Sequence, residues 1–492
     1  MAKPRAHASK GAQGIQPQPE RRQTRLSSTQ GGGFVRARFD AAQTTRDNER
    51  HWAMADGLSA DQEARPEVRR TLRRRSRYEI LNNSYALGLV QMLANDTIGT
   101  GPRLQMLTDD EELNDRLERD FNGWARAVGL AQTLRLMRKA RCQDGEAFAV
   151  IGTNPRLKSR VKLSVTAIEA DRVEGVADIA EDGREIDGIR YDEYGNPVSY
   201  RVLKYHPGDS MVVTGADAVE IPARFMIHTF IQTRPGLHRG VPELTAALPL
   251  FAQLRRYNLA TLSAAEAAAD FAAILYTDTP PEGETDELEP LDSIPLQRNM
   301  MMTVPAGWKM GQLEAKHPTA NHTEFVKIIL SEVARCICST YGSVAGDFSN
   351  FSYASGRLDN QIYHKSIIVD RSNWEDEVLN PILDQWLREW SLANNVFFEE
   401  EYLPRTWFWD GFMHVDPSKE ANGQMMRLQN FTTTLAAECA REGRDYMSVL
   451  RQRAKELRLM KELGIIQGES SAGGENQNEE EEEKDAGRQD EE

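Results

Sequence analysis

The stretch SVAGDFSNFSYASGRL, residues 343–358, lies between two segments whose apolar residues recur at helical spacing. Phe325, Ile329, Val333 and Ile337 mark one helical face before it, and Trp374, Val378, Ile382, Trp386 and Trp390 mark another after it. The loop holds Gly346, Phe348, Phe351 and Tyr353 among small polar residues. Neither a helix cap nor a packed strand requires that mixture. The segment therefore reads as a ligand site or a mobile contact on a large partner, against the plainer reading of an irregular helix connection. Pro381 falls inside the second tract and predicts a kink, because it removes a backbone donor.

Working outward, Asn321 with Glu324 fits a cap pair opening the helix before the loop. A tract rich in Pro, Gly and acids, residues 276–318, interrupts the helical frame, with one short strand signal at MMMTVPAGW. Upstream, Pro242 starts a helical tract with Leu244, Leu248, Phe251 and Leu254 on one stripe, running into the Ala-rich SAAEAAAD. That alanine run reads either as helix propensity or as packing against a neighbouring copy. Between Gly145 and Phe230 the period changes to two: EAFAVIG, VKLSVTAIE, EIDGIRYD and VSYRVLKY predict a mostly antiparallel sheet, with a turn at Tyr-Gly-Asn-Pro. Nearer the start, Pro66 opens a helix through Leu72, Leu81, Tyr85, Leu89 and Met92 that stops at IGTG. A strand PRLQMLT follows, then a helix on Leu113, Leu117, Phe121 and Trp124, introduced by Thr108 and Glu111 as a capping box. The fold class is α+β, with order beginning near Phe34 and a last helical stretch over Ser418 to Leu463.

With 492 residues, 40% hydrophobic and 27% charged, the chain can bury a sizeable core and form several domains. It has no apolar run long enough to span a bilayer, and its basic N-terminus lacks the apolar stretch of a secretory signal. Residues 1–33 read as a disordered basic arm and 468–492 as a disordered acidic tail. A net charge of −15 argues against tight DNA binding, which phosphate neutralisation by cations normally supplies. The basic run RRTLRRRSR, residues 69–77, reads as a phosphate-contacting surface or as a solvated, ion-paired face.

A search for chemistry yields little. Gly-Lys never occurs, so the phosphate cradle of a P-loop ATPase is absent. Ser343 in GSVAG resembles a nucleophile elbow, but it is second rather than third and follows a helix. His317 and His322 lack a third ligand at metal spacing, and His228 and His238 read as neutral histidines with backbone partners. Cys336 and Cys338, two apart on a helix, point to different faces and read as buried thiols rather than a metal clip. No catalytic, cofactor or metal site is assigned. A DNA-processing or hydrolytic enzyme and a non-viral oligomeric scaffold stand as alternatives.

Three stretches carry a family resemblance: LNNSYALGLVQMLANDTIGTGPRLQ (81–105), RPGLHRGVPELTAAL (234–248) and FSYASGRLDNQ (351–361). Together they resemble the lambda-type portal proteins of tailed phages and prophages. The resemblance implies a ring, typically of twelve subunits, at one capsid vertex, through which double-stranded DNA is packed and ejected. It implies a virion protein assembled in the host cytoplasm, without membrane contact. Its partners would be the terminase large subunit, a major capsid or scaffold protein and a head–tail adaptor, with the ATPase motor in the terminase. The implied parts are a wing (34–240 with 354–415), stem helices (241–275 and 319–342), a clip (276–318), a tunnel loop (343–353) and a crown (416–467). Asp347, Phe348, Ser349, Asn350, Phe351, Ser352 and Tyr353 would line the DNA channel. The acidic balance suits a channel through which DNA must slide.

Overall fold

In the computed structural model, the described residues are 49–174, 185–209, 218–269, 273–277, 308–312, 319–349, 352–398, 402–412 and 417–465. The chain divides into two units, 1–58 and 59–492. Of the first, residues 49–58 are described, mostly exposed turns in which the Ala55 amide donates to the Trp52 carbonyl. The expected start of order near Phe34, the basic arm 1–33 and the acidic tail 468–492 lie outside the described residues.

The second unit is α+β, as its spacing predicts. It opens with α1 (Ala60–Glu63), α2 (Pro66–Asn82), α3 (Ser84–Ile98), β1 (Arg103–Met106), α4 (Glu111–Val128) and α5 (Leu130–Asp144). The helix expected to run unbroken from Pro66 to the IGTG glycines is two helices. Asn83 is extended (φ −131°, ψ 117°), and its side chain accepts the Tyr85 amide, which restarts the helix as α3. The expected Thr108–Glu111 capping box is also corrected. Asp110 is the cap, its carboxylate accepting the Leu113 amide, while Thr108 Oγ1 bonds Asn114 Oδ1 at 2.5 Å.

The period-two region forms two antiparallel sheets. In the first, β2 (Glu146–Thr153) lies between β3 (Leu163–Ile168) and β8 (Met226–Phe230). The second runs β4 (Glu185–Ile186), β5 (Ile189–Tyr191), β6 (Pro197–Leu203), β7 (Ala218–Pro222) in sequence order. EIDGIRYD thus splits into a hairpin, turning at Asp187 and Gly188, both at positive φ.

Next comes a helical hairpin: α6 (Leu248–Ala269), β9 (Ala273–Thr277), β10 (Trp308–Gln312) and α7 (Thr319–Cys336), with β9 and β10 paired antiparallel. The first helix therefore occupies only part of 241–275. Thr245–Ala247 form a 3-10 turn before it, and β9 begins within the same range. Of the strand signal MMMTVPAGW only Trp308 is described, as the first residue of β10. Because α7 starts at Thr319, Asn321 lies inside its first turn instead of capping it.

The chain continues through α8 (Tyr341–Ala345), α9 (Tyr353–Trp374), a π-helical turn (Glu375–Leu379), α10 (Asn380–Asn394), β11 (Arg405–Phe408), which pairs with β1, and α11 (Pro417–Gln429), α12 (Leu435–Arg441) and α13 (Tyr446–Glu462). The last expected helical stretch is thus three helices. The tryptophan stripe packs as its spacing predicts: Trp374, Val378, Ile382, Trp386 and Trp390 are all at most 1% exposed. With Phe121 and Trp124 they fill one core beneath β2, β3 and β1. A second core joins α3, α6, α7, α8 and α9 through Leu89, Phe251, Leu330, Val344 and Ile367.

The kink expected at Pro381 appears one turn earlier, as the π turn. A proline at 381 removes its own amide and crowds the carbonyl four residues back. The chain accommodates this by widening, with the Asn380 amide donating to Glu375 O five residues back. Side chains of that turn then bond outward, Glu375 Oε1 accepting from Trp409 Nε1 at 2.6 Å and Glu377 Oε2 from Thr229 Oγ1 at 2.5 Å.

Candidate functional site

The helix-joining loop is shorter than its sequence suggests. After α7 ends at Cys336, Cys338 turns at φ +54° and Thr340 caps α8, its hydroxyl accepting the Ser343 amide. Ser343, considered as a nucleophile, therefore lies in a short helix, its Oγ 2.9 Å from Thr340 Oγ1. Gly346 ends α8 at φ +68°, a left-handed conformation that suits glycine, its amide donating to Gly342 O at 2.8 Å.

From there two short-range devices hold the chain. Asp347 Oδ1 accepts the Ser349 amide at 3.0 Å and its hydroxyl at 2.6 Å, and Asp347 Oδ2 accepts from Tyr341 OH at 3.3 Å. Those bonds hold the Asp347 carboxyl below the usual carboxylate range. Tyr341 packs on the second core and lies under the Lys327 ammonium, 5.4 Å from its ring centre, which ties the turn back to α7. Ser352 and Ser355 form a reciprocal capping box: Ser352 Oγ accepts the Ser355 amide and Ser355 Oγ accepts the Ser352 amide. A helix cap thus accounts for part of the loop's polar mixture, which the sequence reading does not attribute to a cap. Phe348 is 60% exposed and Ser349 and Ser352 are exposed. Asn350 and Phe351 lie outside the described residues, and Tyr353 is the first residue of α9.

Beneath the hairpin lie two buried charged joints that the sequence reading missed. Glu146, fully buried at the start of β2, accepts from Arg73 Nη2 at 3.0 Å, from Arg239 Nε and Nη2 at 2.8 and 2.7 Å, and from the Gly240 amide at 3.3 Å. His228 Nε2 lies 3.2 Å from the same carboxylate, its ring stacked between Phe148 and Phe230. Burial raises the Glu146 carboxyl, but Arg239 and His228 outweigh it and hold it well below the usual range. In the second joint, Arg138 and Arg141 of α5 pair with Glu243, just before α6, and with Asp370 of α9. Thr97 of α3 also donates to Asp370. Each joint therefore ties four or more chain segments together.

These joints and the contacts around them account for two of the three motif stretches. In 234–248, Arg234 pairs with Glu63, His238 with Asp61, Arg239 with Glu146 and Glu243 with Arg138. Gly240 packs so closely on Gly145 that a Cβ there would come within 2.1 Å of the Gly145 carbonyl oxygen. In 81–105, Asp96 accepts from Tyr363 OH at 2.7 Å, and the carbonyls of Asp96 and Thr97 accept from Arg371. The expectation of backbone partners for the two histidine rings is corrected: both face carboxylates, Glu146 for His228 and Asp61 for His238.

Other candidates fall away from chemistry. Cys336 and Cys338 are exposed rather than buried, because α7 ends between them. His322 stacks on Tyr257 and lies 3.3 Å from Asn258 Oδ1, while His317 lies outside the described residues. Among the described residues no group of three or more His, Cys, Asp or Glu side chains is arranged to hold a metal. No helix among them is long and apolar enough to cross a membrane.

Residues 45–367, which include all three motif stretches, match the family of phage portal protein, lambda family. The chain belongs to this family. A probable portal protein of Halomonas phage phiHAP-1 is 25% identical over 485 residues, covering 91% of this chain and 90% of the relative. Among solved structures, a chain in the neck of an empty gene transfer agent particle, computed with C6 symmetry, aligns over 75% of this chain and 92% of its own length, at 12% identity and a TM-score of 0.45. One in the neck of the native particle, computed with C12 symmetry, aligns over 77% and 94%, at 12% identity and a TM-score of 0.44. The joints fix the base of the hairpin, and the loop follows its second helix.

Proposed function

We propose that this portal protein assembles as a closed ring, of twelve subunits, at one vertex of the capsid, forming the channel through which double-stranded DNA is packed and ejected. The family match over 45–367 carries this reading. In it, α6 and α7 are the stem, 276–318 the clip that meets the terminase large subunit, 34–240 with 354–415 the wing, and 416–467 the crown. Capsid or scaffold protein and a head–tail adaptor would meet the outer surfaces of a ring assembled in the host cytoplasm and retained in the virion. Apolar side chains left exposed on a single chain support a partner copy: Leu259 and Leu262 on α6, Ile328 on α7, and Leu358, Ile362 and Val369 on α9.

The loop after α8 then faces the channel. Its exposed hydroxyls and Phe348 suit weak, sequence-independent contacts with a passing duplex. The test is to replace Asp347–Phe351 by a Gly-Ser linker of equal length, keeping Ser352 so that the α9 cap survives. Electron microscopy should show rings in both proteins, with shorter or poorly retained packaged DNA in the linker form. Normal DNA length and retention would sink the channel assignment, and a monomeric parent protein would sink the ring.

A further inference from the structure

The arginine-rich helix is the motif to which the portal reading gives no role. Its arginines form two rows. Arg69, Arg73 and Arg77, four apart on α2, turn inward: Arg69 pairs with Asp187, Arg73 with Glu146 and Asp171, and Arg77 with Asp144 and Asp171. The row is ion-paired, as one of the two sequence readings has it, but it is neither solvated nor a phosphate-contacting surface, since Arg69 and Arg73 are only 5% and 4% exposed. Arg70 and Arg74 belong to the outer row, and Arg70 pairs with Glu174.

Both rows line a cleft of about 350 Å³, which Arg239 and His206 also line. Six guanidinium groups (69, 70, 73, 74, 77 and 239) meet five carboxylates, those of Asp144, Glu146, Asp171, Glu174 and Asp187. One positive charge is left over. It belongs to Arg74, which is exposed and has no acidic partner among the described residues. Glu169, at the surface, pairs with His206 and with none of the six arginines among the described contacts. The second observation is a donor: Arg69 Nε is buried without a hydrogen-bond partner. Leaving such a group unpaired is unfavourable. Burial, with the Arg239 charge beside it, pushes Arg69 down to about 9, as expected of a cation short of compensation.

We propose that this cleft binds a single phosphate-type oxyanion, with Arg74 supplying the unmatched charge and Arg69 Nε the buried donor. Guanidinium groups match phosphate oxygens in geometry as well as charge. Asp171, Glu174 and Asp187 in the lining repel a polyanion laid along the cleft, so the ligand is one phosphate group or a pyrophosphate. That group comes either free from solution or from a nucleic-acid strand. This assignment stands apart from the channel, and the portal reading can fail without affecting it.

The experiment is calorimetric titration of the full chain, at fixed ionic strength, with inorganic phosphate, with pyrophosphate and with a short DNA duplex. Two exposed positions give variants that keep the fold: R74Q, in the cleft, and R75Q, on the same helix but outside its lining. Saturable binding of phosphate or pyrophosphate is expected, about tenfold weaker in R74Q and within about twofold in R75Q, as the loss of one charge-assisted contact predicts. A duplex weakened equally by R74Q would trace the group to nucleic acid, and a duplex indifferent to it would trace it to a free anion. No saturable binding of any of the three probes, or equal losses in the two variants, would overturn the site.

Discussion

The base of the helical hairpin and the loop beyond its second helix are held in opposite ways. Glu146 is gripped by residues up to 94 positions away, reaching from α2, β8 and the segment before α6. The described hydrogen bonds of the loop, by contrast, reach no further than six residues: Tyr341 to Asp347, Asp347 to Ser349, Ser352 to Ser355. A buried ionic hub resists any change of partner, because each member would be left charged in a low dielectric. A turn held by local bonds can alter its exposed side chains without disturbing the frame. Function in the portal reading sits on the locally held element, and two of the three motif stretches, 81–105 and 234–248, lie in the frame.

The sharpest way to break this contrast is to remove the hub's charge. Glu146→Gln leaves Arg73 and Arg239 buried with one fewer counter-charge. A loss of about 3–5 kcal/mol is expected, read as a lowered denaturation midpoint. Glu67→Gln, at an exposed pair with Arg65, is the control and should stay within about 0.5 kcal/mol. If the two variants unfold alike, the joint is not what fixes the hairpin.

Acid should reach the same joints with a smaller effect. Asp171 is raised by burial, but Arg73 and Arg77 outweigh that and hold it at about 2; Asp370 is held low by Arg138 and Arg141 against the same penalty. Groups depressed in the folded state contribute stability above their unfolded values. That stability is lost as the unfolded chain takes up protons first, so it falls between about pH 4 and pH 2, by about 2 kcal/mol for Asp171. His228, which burial keeps below 6.5, starts the loss earlier, because the unfolded ring protonates before the buried one. Burial raises Glu118, Glu375 and Glu377, which oppose the trend. A midpoint that holds steady from pH 7 to pH 3 would show that those raised carboxyls dominate and the joints do not.

The same contrast marks what the sequence could disclose. Periodicity exposed the tryptophan stripe of α9 and α10 and the stripe from Leu244 to Leu254, because burial on one face leaves a record every three or four residues. The antiparallel strands and the Pro66 start were legible for the same local reason. The hub was not: nothing in the spacing of Arg73, Glu146 and Arg239 says that they meet. The regular four-residue interval of Arg69, Arg73 and Arg77 was a signal that one row faces inward, but charge made the helix look like surface. The cap of α4 moved from Thr108 to Asp110 because two capping residues stand two apart, and the break at Asn83 left no mark in the apolar spacing. Of the loop, the break between two helical tracts was legible, whereas the Ser352–Ser355 cap was read as mere polarity.

The smallest expected effect comes from that cap. In Ser352→Ala the Ser355 amide loses its acceptor and the two hydroxyls their mutual contact, while Ser355 Oγ still accepts the amide of residue 352, a change of about 1 kcal/mol for a helix cap. Because α9 is also fixed by Tyr363, Ile367 and Arg371 in the body of the protein, the loss should stay at its first turn. Hydrogen exchange is therefore the measurement: amides of 355 and 356 should exchange faster, while those around Arg371 and the global unfolding midpoint barely change. Faster exchange throughout α9, or a midpoint lowered as far as in Glu146→Gln, would mean that the loop is part of the frame, and the proposed separation between a rigid base and a locally held channel segment would fail.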